Sequence, residues 1–467
     1  MSWKKVKLKQ ILKQYRIEHI VQNDIEYKQV TISKYDGVTF RGTKMGKEIG
    51  RKRQFQIDLK KYPNTLMFVR QGVQDGSIGI APLEVDGCIA TENMPMFSIE
   101  GINLEYLKFL LKSPYFNDEL NKIQTTGSAQ KSIHEREILE IEIPFPDIEE
   151  QEEIVKELSS KKNNSIEIST ELTHQLTLVK KLRQQLLQDA VQGKLLSELG
   201  EEGFKDDRTK TQILQSNNPK NPNPDNGHEL LKRIKATLRQ AQGDKKGKKE
   251  KELPPIKPEE IPFEIPENWV WCRLGEICEK IGSGSTPKGS NYSENGFPFF
   301  RSQNVYNEGL IYQDITFISD EVQNQMKGTI VLAKDILLNI TGGSMGRCAL
   351  VPLDFKEGNV SQHVCIIRPI EINNKFLHSI VLSPFFQNFI FTSTTGAGRE
   401  GLPKYNLEQF LIPLPPLSQQ TRIVQKLDEL MQYCNELEAS IKQSQEQNEK
   451  LLQQVLREAL RKEPVEA

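Results

Sequence analysis

Parts of this chain occur twice at a fixed distance, and nothing else in the sequence constrains the fold as much. Thr125-Thr126-Gly127 returns as Thr394-Thr395-Gly396, and Ile143-Pro144-Phe145-Pro146 returns as Ile412-Pro413-Leu414-Pro415. Gln151, Ile154, Val155 and Leu158 return as Gln420, Ile423, Val424 and Leu427. Lys181-Leu182, Gln184-Gln185 and Ala190 return as Lys450-Leu451, Gln453-Gln454 and Ala459. Every one of these pairs is 269 positions apart. Upstream the offset drifts. Trp3, Leu8 and Ile11 match Trp269, Leu274 and Ile277 at 266, Ser77-Ile78-Gly79 matches Ser344-Met345-Gly346 at 267, and Ser113-Pro114-Tyr115-Phe116 matches Ser383-Pro384-Phe385-Phe386 at 270. A tandem duplication with a constant part and a drifting part follows: the helical part keeps its length while the loops of the globular part diverge.

The first globular unit spans residues 1–146 and the second 263–415. Apolar runs at Thr65–Val69 and Met94–Ile99, and at Phe297–Phe300, Thr329–Ile340 and His363–Arg368, predict strands. Asn103–Ile123 and Lys375–Phe391 predict helices. Mixed strands and helices make each unit α+β. Residues 200–262 read as a linker. Its Asn/Pro-rich stretch 217–227 should lack a packed core, a short helix is expected near Leu230–Leu238, and the basic run Lys245–Lys251 suits a solvated segment.

Each globular unit is followed by a heptad helix, within 147–199 and 416–461, with a short tail at 462–467. Ile154, Leu158, Lys161, Ser165, Ile168, Leu172, Gln175, Val179, Leu182 and Leu186 keep 4–3 spacing. So do Ile423, Leu427, Leu430, Cys434, Leu437, Ile441, Ser444, Asn448, Leu451 and Val455. This is coiled-coil spacing, and each helix would be ~65 Å long. Antiparallel pairing with Ile154 opposite Val455 sets Lys161 against Asn448, Ser165 against Ser444 and Gln175 against Cys434. Parallel pairing leaves polar seam groups facing apolar ones, at ~1–3 kcal/mol each. The antiparallel arrangement is therefore expected.

The net charge is -1 with 27% charged residues, a soluble composition. No apolar run approaches the ~18 residues of a membrane span. The N-terminus lacks the apolar stretch of a signal peptide. The six cysteines form no CxxC pair and read as buried thiols in a reducing compartment, so a cytoplasmic location is expected. The six histidines show no metal-ligand spacing. Residues 284–290 approach a phosphate loop, but Ser290 stands where the lysine is needed. No GxSxG, HExxH, dinucleotide fingerprint or amino-methyltransferase motif occurs. No catalytic residue and no metal site are assigned.

The strongest local charge signal is Arg41, Lys44, Lys47, Arg51, Lys52 and Arg53: six cations with one acid, Glu48, within thirteen residues and three glycines between. Arginine and lysine on a pliant backbone suit phosphates and guanine edges, although a solvated hairpin has the same composition. In the second unit the polar candidates are Ser283, Ser285, Thr286 and Lys288, then Arg301, Gln303 and Asn304, then Arg347, and finally Gln362 and His363. Amides read adenine and arginine reads guanine, but turns use the same residues.

These features together resemble the specificity (S) subunits of type I restriction–modification enzymes, over nearly the whole chain. The resemblance rests on Ile265-Pro266-Glu267-Asn268-Trp269-Val270-Trp271, on Ser361-Gln362-His363-Val364, on Ile412-Pro413-Leu414-Pro415-Pro416-Leu417-Ser418-Gln419-Gln420 leading into a long helix, and on Gln192-Gly193-Lys194-Leu195. The opening of the first unit departs from it, lacking the Pro-Glu-x-Trp form. The resemblance implies two target-recognition domains held apart by two antiparallel helices, a pseudo-twofold tandem repeat. It implies a non-catalytic chain that reads split double-stranded DNA, one half per domain, with no membrane association. It also implies that the helices dock two modification (methyltransferase) subunits, joined by motor-nuclease subunits. S-adenosylmethionine, ATP and Mg²⁺ would belong to those partners. Residues shared by both copies, such as Gly127/Gly396 and Gln151/Gln420, should serve fold, phosphate or subunit contact, and the two glutamines are expected in subunit docking. Base readers should lie where the copies diverge. The rigid helices would set the unread gap in the target.

Overall fold

The computed structural model describes residues 3–123, 132–197, 226–243, 253–393 and 401–460. Gly127, Gly396 and most of the linker, including the run Lys245–Lys251, lie outside them. The chain divides into two units, Met1–Gln175 with Ser440–Ala467, and Leu176–Ala439.

The first unit contains β1 (Lys5–Lys7), β2 (Leu12–Tyr15), β3 (Glu18–Ile20), β4 (Glu26–Ser33), β5 (Gly37–Met45), β6 (Arg53–Gln56), β7 (Thr65–Phe68), β8 (Ile78–Ile80), β9 (Ile89–Ala90), β10 (Met96–Ile99) and β11 (Glu142–Pro144). Its helices are α1 (Leu104–Leu111), α2 (Pro114–Lys122), α3 (Glu135–Leu139) and the start of α4 (Ile148–Gln192). The second unit takes the end of α4, then α5 (Lys194–Ser197) and α6 (Gly227–Gly243). Its strands are β12 (Val270–Arg273), β13 (Cys278–Ser283), β14 (Phe297–Phe300), β15 (Val305–Tyr306), β16 (Gly309–Leu310), β17 (Thr316–Ile318), β18 (Ile330–Val331), β19 (Ile336–Asn339), β20 (Cys348–Leu350), β21 (Gly358–Val360), β22 (Val364–Pro369) and β23 (Leu411–Leu414). Among and after them come α7 (Asp320–Gln325), α8 (Asn374–Leu382), α9 (Pro384–Ser393), α10 (Lys404–Gln409) and α11 (Leu417–Ala459), whose C-terminal end belongs to the first unit.

Three sheets of each unit repeat in strand order, while among the described residues the pair β15–β16 belongs to the second unit alone. Order β2-β10-β7-β8 in the first unit is order β13-β22-β19-β20 in the second, and β1-β11 is β12-β23. Order β5-β4-β9-β6 is β17-β14-β21-β18, and β3 adds one further edge strand in the first unit. Even the parallel pairing is kept, between β4 and β9 and between β14 and β21. The central strands are apolar and buried, as in Thr65-Leu66-Met67-Phe68 and Ile336-Leu337-Leu338. The long hairpin β4–β5 turns at Asp36-Gly37, where Gly37 has φ +69.

Each predicted domain helix is in fact two. Ser113 and Ser383 precede prolines, whose rings disfavour helical backbone in the residue before. Each serine then caps the next helix, accepting from Phe116 N at 3.2 Å and from Phe386 N at 3.4 Å. The run Thr329–Ile340 is likewise two strands, parted by a turn at Lys334 with φ +70. The pairing of Ser77 with Ser344 at 267 is also corrected. Val69 N donates to Ser77 O and Asn339 N to Arg347 O, so Ser77 is equivalent to Arg347, at 270. The short Ser-x-Gly match stands three residues out of strand register. The helix expected at Leu230–Leu238 extends over Gly227–Gly243 and buries Leu230 and Ile234 in the second unit.

The two long helices pair antiparallel, as expected. In the first unit Asn448 Nδ2 donates to the Ser165 carbonyl at 2.8 Å. In the second, Arg183 Nη2 reaches Asn435 Oδ1 at 2.8 Å and Glu438 Oε2 at 3.1 Å. The register differs from expectation by one turn: Asn448 meets Ser165 rather than Lys161, which instead pairs with Glu157. In the first unit this register sets Leu158 across from Val455 and Leu172 across from Ile441. One seam row is as predicted. The other is displaced by one residue, because Ile168, Leu182, Leu437 and Leu451 are 43–59% exposed while Arg183 and Glu438 turn inward. At 3.6 residues per turn, positions i+3 and i+4 flank the same face, and the arginine stem covers apolar surface in place of a leucine.

Candidate nucleic-acid interface

The residues common to both copies build the frame. Gln151 Oε1 accepts from Asn103 N at 2.8 Å, and its Nε2 donates to Pro146 O at 2.9 Å. Gln420 does the same with Asn373 N and Pro415 O, at 2.9 Å each. Asn103 and Asn373 in turn cap α1 and α8. Each glutamine thus ties the first turn of a long helix to the first domain helix. Both are buried, with 1% and 0% exposure, so neither offers a surface for subunit docking. That expectation gives way to a role in the fold.

In the second unit two sequence motifs meet. Gly193, φ +76, ends α4, and a Cβ there would stand 2.9 Å from Pro266 and 3.2 Å from Trp269. The Trp269 indole donates to Gln419 Oε1 at 2.6 Å.

The basic segment of the first unit is spread over two strands and the connection between them. Gly42 pairs with Gln29 and Phe40 with Val30, which leaves Arg41 as the extra residue of a β-bulge. Gly42, at φ +125, permits it, and bulges re-aim the side chain they carry. Arg41 and Lys44 stand exposed on β5, the edge strand, and Lys47 is exposed just beyond it. Lys52 donates to Gly46 O at 2.7 Å, Arg53 pairs with Glu18, and Arg51 lies 3.9 Å from Glu92. Gly46 is fixed by crowding: a Cβ would fall 1.8 Å from Gln22 O.

In the second unit Thr286, Gln362 and His363 come together. Thr286 Oγ1 lies 3.3 Å from Gln362 Oε1, Gln362 Nε2 lies 3.4 Å from His363 Nε2, and His363 Nδ1 lies 2.7 Å from Thr341 Oγ1. Gln362 and His363 are exposed. Gly284 holds this group close to the sheet, since a Cβ there would fall 1.8 Å from Val360 O. Ser283 ends β13, and Ser285 and Lys288 line the exposed turn that follows it. Arg301 is half-buried and bonds Asp314 O, and Gln303 is exposed beside it. Asn304 is corrected. It is fully buried, and its amide is used by Arg301 N, Ile311 O and Gln313 O, so it shapes a turn and is out of reach of a base. Arg347 lies over the Tyr306 ring at 4.6 Å. Thr341 opens the polar stretch that ends at Arg347, and its hydroxyl joins this group.

Among the described residues no group of three His, Cys, Asp or Glu side chains could hold a metal, and no helix is long and apolar enough to cross a membrane. All six cysteines are buried, and burial raises the Cys272, Cys278, Cys348 and Cys365 thiols above the ordinary range.

The type I restriction modification DNA specificity domain matches residues 2–178 and again 266–447, one match for each copy. The chain belongs to the type I restriction–modification specificity subunits. The Escherichia coli EcoAI specificity subunit is 30% identical over 369 residues, covering 73% of this chain and 62% of that protein. The EcoEI subunit of the same species is 23% identical, covering 82% and 68%. This chain thus spans about two thirds of the length of these relatives. Two solved structures share the fold. A chain from a study of complex assembly and conformational transition of the type I R-M system has a TM-score of 0.56 at 17% identity, covering 99% of this chain and 98% of its own. The HsdS subunit from Thermoanaerobacter tengcongensis has 0.52 at 18%, covering 99% and 97%. A specificity subunit with two target-recognition domains therefore accounts for the doubled architecture.

Proposed function

We propose that this specificity subunit reads a bipartite DNA target, one half-site per domain. It would be a non-catalytic platform for two modification subunits and for motor-nuclease subunits, and these partners would supply S-adenosylmethionine, ATP and Mg²⁺. One observation carries the reading: two domains share sheet order and helix clasp while their exposed polar loops differ. A repeated frame with unlike side chains suits two unlike half-sites. Phosphate contact is assigned to Arg41, Lys44, Lys47, Arg51, Lys52 and Arg53. Base contact in the second domain is assigned to Ser283, Ser285, Thr286, Lys288, Arg301, Gln303, Arg347, Gln362 and His363.

Methylome sequencing with and without this gene tests the reading. Loss of one bipartite methylation motif is expected, and an unchanged methylome sinks it. A second expectation concerns salt. Arg51 and Arg53 have exposed acidic partners, and exposed pairs hold weakly, so both are available to phosphates. Replacing Arg51, Lys52 and Arg53 with alanine should flatten the log–log salt dependence of DNA binding by about 0.9 per lost phosphate contact, ~2–3 in all. An unchanged slope would remove these residues from the interface.

A further inference from the structure

The backbone bonds of the two domains align them position by position, and that alignment identifies a group of residues outside the basic segment. Met94 N donates to Thr91 O as Val364 N does to Ser361 O. Arg70 N donates to Asn93 O as Ile340 N does to His363 O, and Ile133 N to Arg70 O as Leu402 N does to Ile340 O. Asn93 therefore stands where His363 stands, Glu92 where Gln362 stands, and Gln71 where Thr341 stands. The pairing of Met96 with Tyr15, matched by that of Ile366 with Gly282, puts Arg16 in the place of Ser283.

These four positions are equivalent in strand register, and every side chain differs. Gln71, Glu92 and Asn93 are exposed, so no core packing dictates them. Arg16 is half exposed and is held by Glu135, 3.3 Å away. Burial would raise the Glu135 carboxyl, but its hydrogen bonds from Arg70 at 2.5 and 3.1 Å outweigh that and hold it below the usual carboxylate range. Glu135 therefore stays ionised and keeps Arg16 and Arg70 beside this loop. Arg51, from the basic segment, reaches the same place through Glu92.

We infer that Arg16, Gln71, Glu92 and Asn93 read bases of the first half-site. This rests on the reading of the domains as half-site readers. The Asn93 and Gln71 amides match the adenine N6/N7 edge. Glu92 accepts from cytosine N4, and Arg51 beside it keeps the phosphate contact assigned above.

The test uses this chain assembled with its modification subunits and a duplex pool randomised in both half-sites. Asn93→Ala and Glu92→Ala should each lower discrimination about tenfold or more at one or two positions of the first half-site. The second half-site and the salt slope should not move. Gln362→Ala should relax only the second. If both first-domain variants select the wild-type first half-site, or if only their salt slope changes, the inference is overturned. If the wild-type complex selects no bipartite sequence, the half-site reading itself fails, and this inference with it.

Discussion

A complex built on a chain lacking residues 166–172 of α4 and 441–447 of α11 should methylate a target whose unread gap is about three base pairs shorter. The two deletions face each other in the register set by Ser165 and Asn448. Each removes one heptad, so the seam closes with its apolar row in phase. Seven residues at ~1.5 Å rise shorten each helix by ~10 Å, and DNA rises ~3.4 Å per pair. The original target should lose modification while both half-sites stay the same. Methylome sequencing of cells carrying the deleted chain reads this directly. A stable chain that keeps the original gap would show that something other than helix length sets it.

The second large effect is expected at Asp335. Its side chain is 1% exposed and sits in the turn before β19. It accepts from Arg368 Nε and Nη2 at 2.7 Å each and from Leu332 N at 2.8 Å. Asp335→Ala leaves a partly buried guanidinium without its carboxylate and strands a backbone donor. Breaking such a pair costs ~3–5 kcal/mol, against ~5–15 kcal/mol of stability for a whole domain. Urea unfolding should show the second domain melting early and the first unchanged. Asp335→Ala combined with Arg368→Met should recover much of the loss, because no charge is then left unpaired. A loss below about 1 kcal/mol in the single variant would mean that water satisfies Arg368 without the carboxylate. Among the described residues the first domain has no counterpart to this ion pair. Thr65 occupies the place of Asp335, and its hydroxyl bonds Tyr15 and the Tyr62 carbonyl.

Much of this fold is legible in the sequence because duplication prints each constraint twice. Gln151 and Gln420 stand out from the repeat alone, and both are buried clasps. The long helices are legible from period alone. Their second seam row is not, since Leu182 is the apolar choice and Arg183 the one that turns inward. The hairpin β4–β5 carries a readable signal in Asp36-Gly37 that the basic run beyond it obscured. Asn304 resembles a base reader because a buried turn and a reading loop both need a short amide, and only burial separates them. Asn93 was hidden for another reason. Nothing near it in the chain is basic, and its equivalence to His363 depends on strand register that residue identity does not carry.

The glutamine clasp has a consequence for how such a chain changes over generations. The joint between domain and long helix is made by the same few atoms in both halves, and none of them lies in a loop assigned to DNA. A substitution in one set of loops therefore leaves the clasp bonds of both joints untouched. On the proposed half-site reading, one half of the target could be rewritten while the other is inherited intact, and new targets would arise by single steps from a functioning chain.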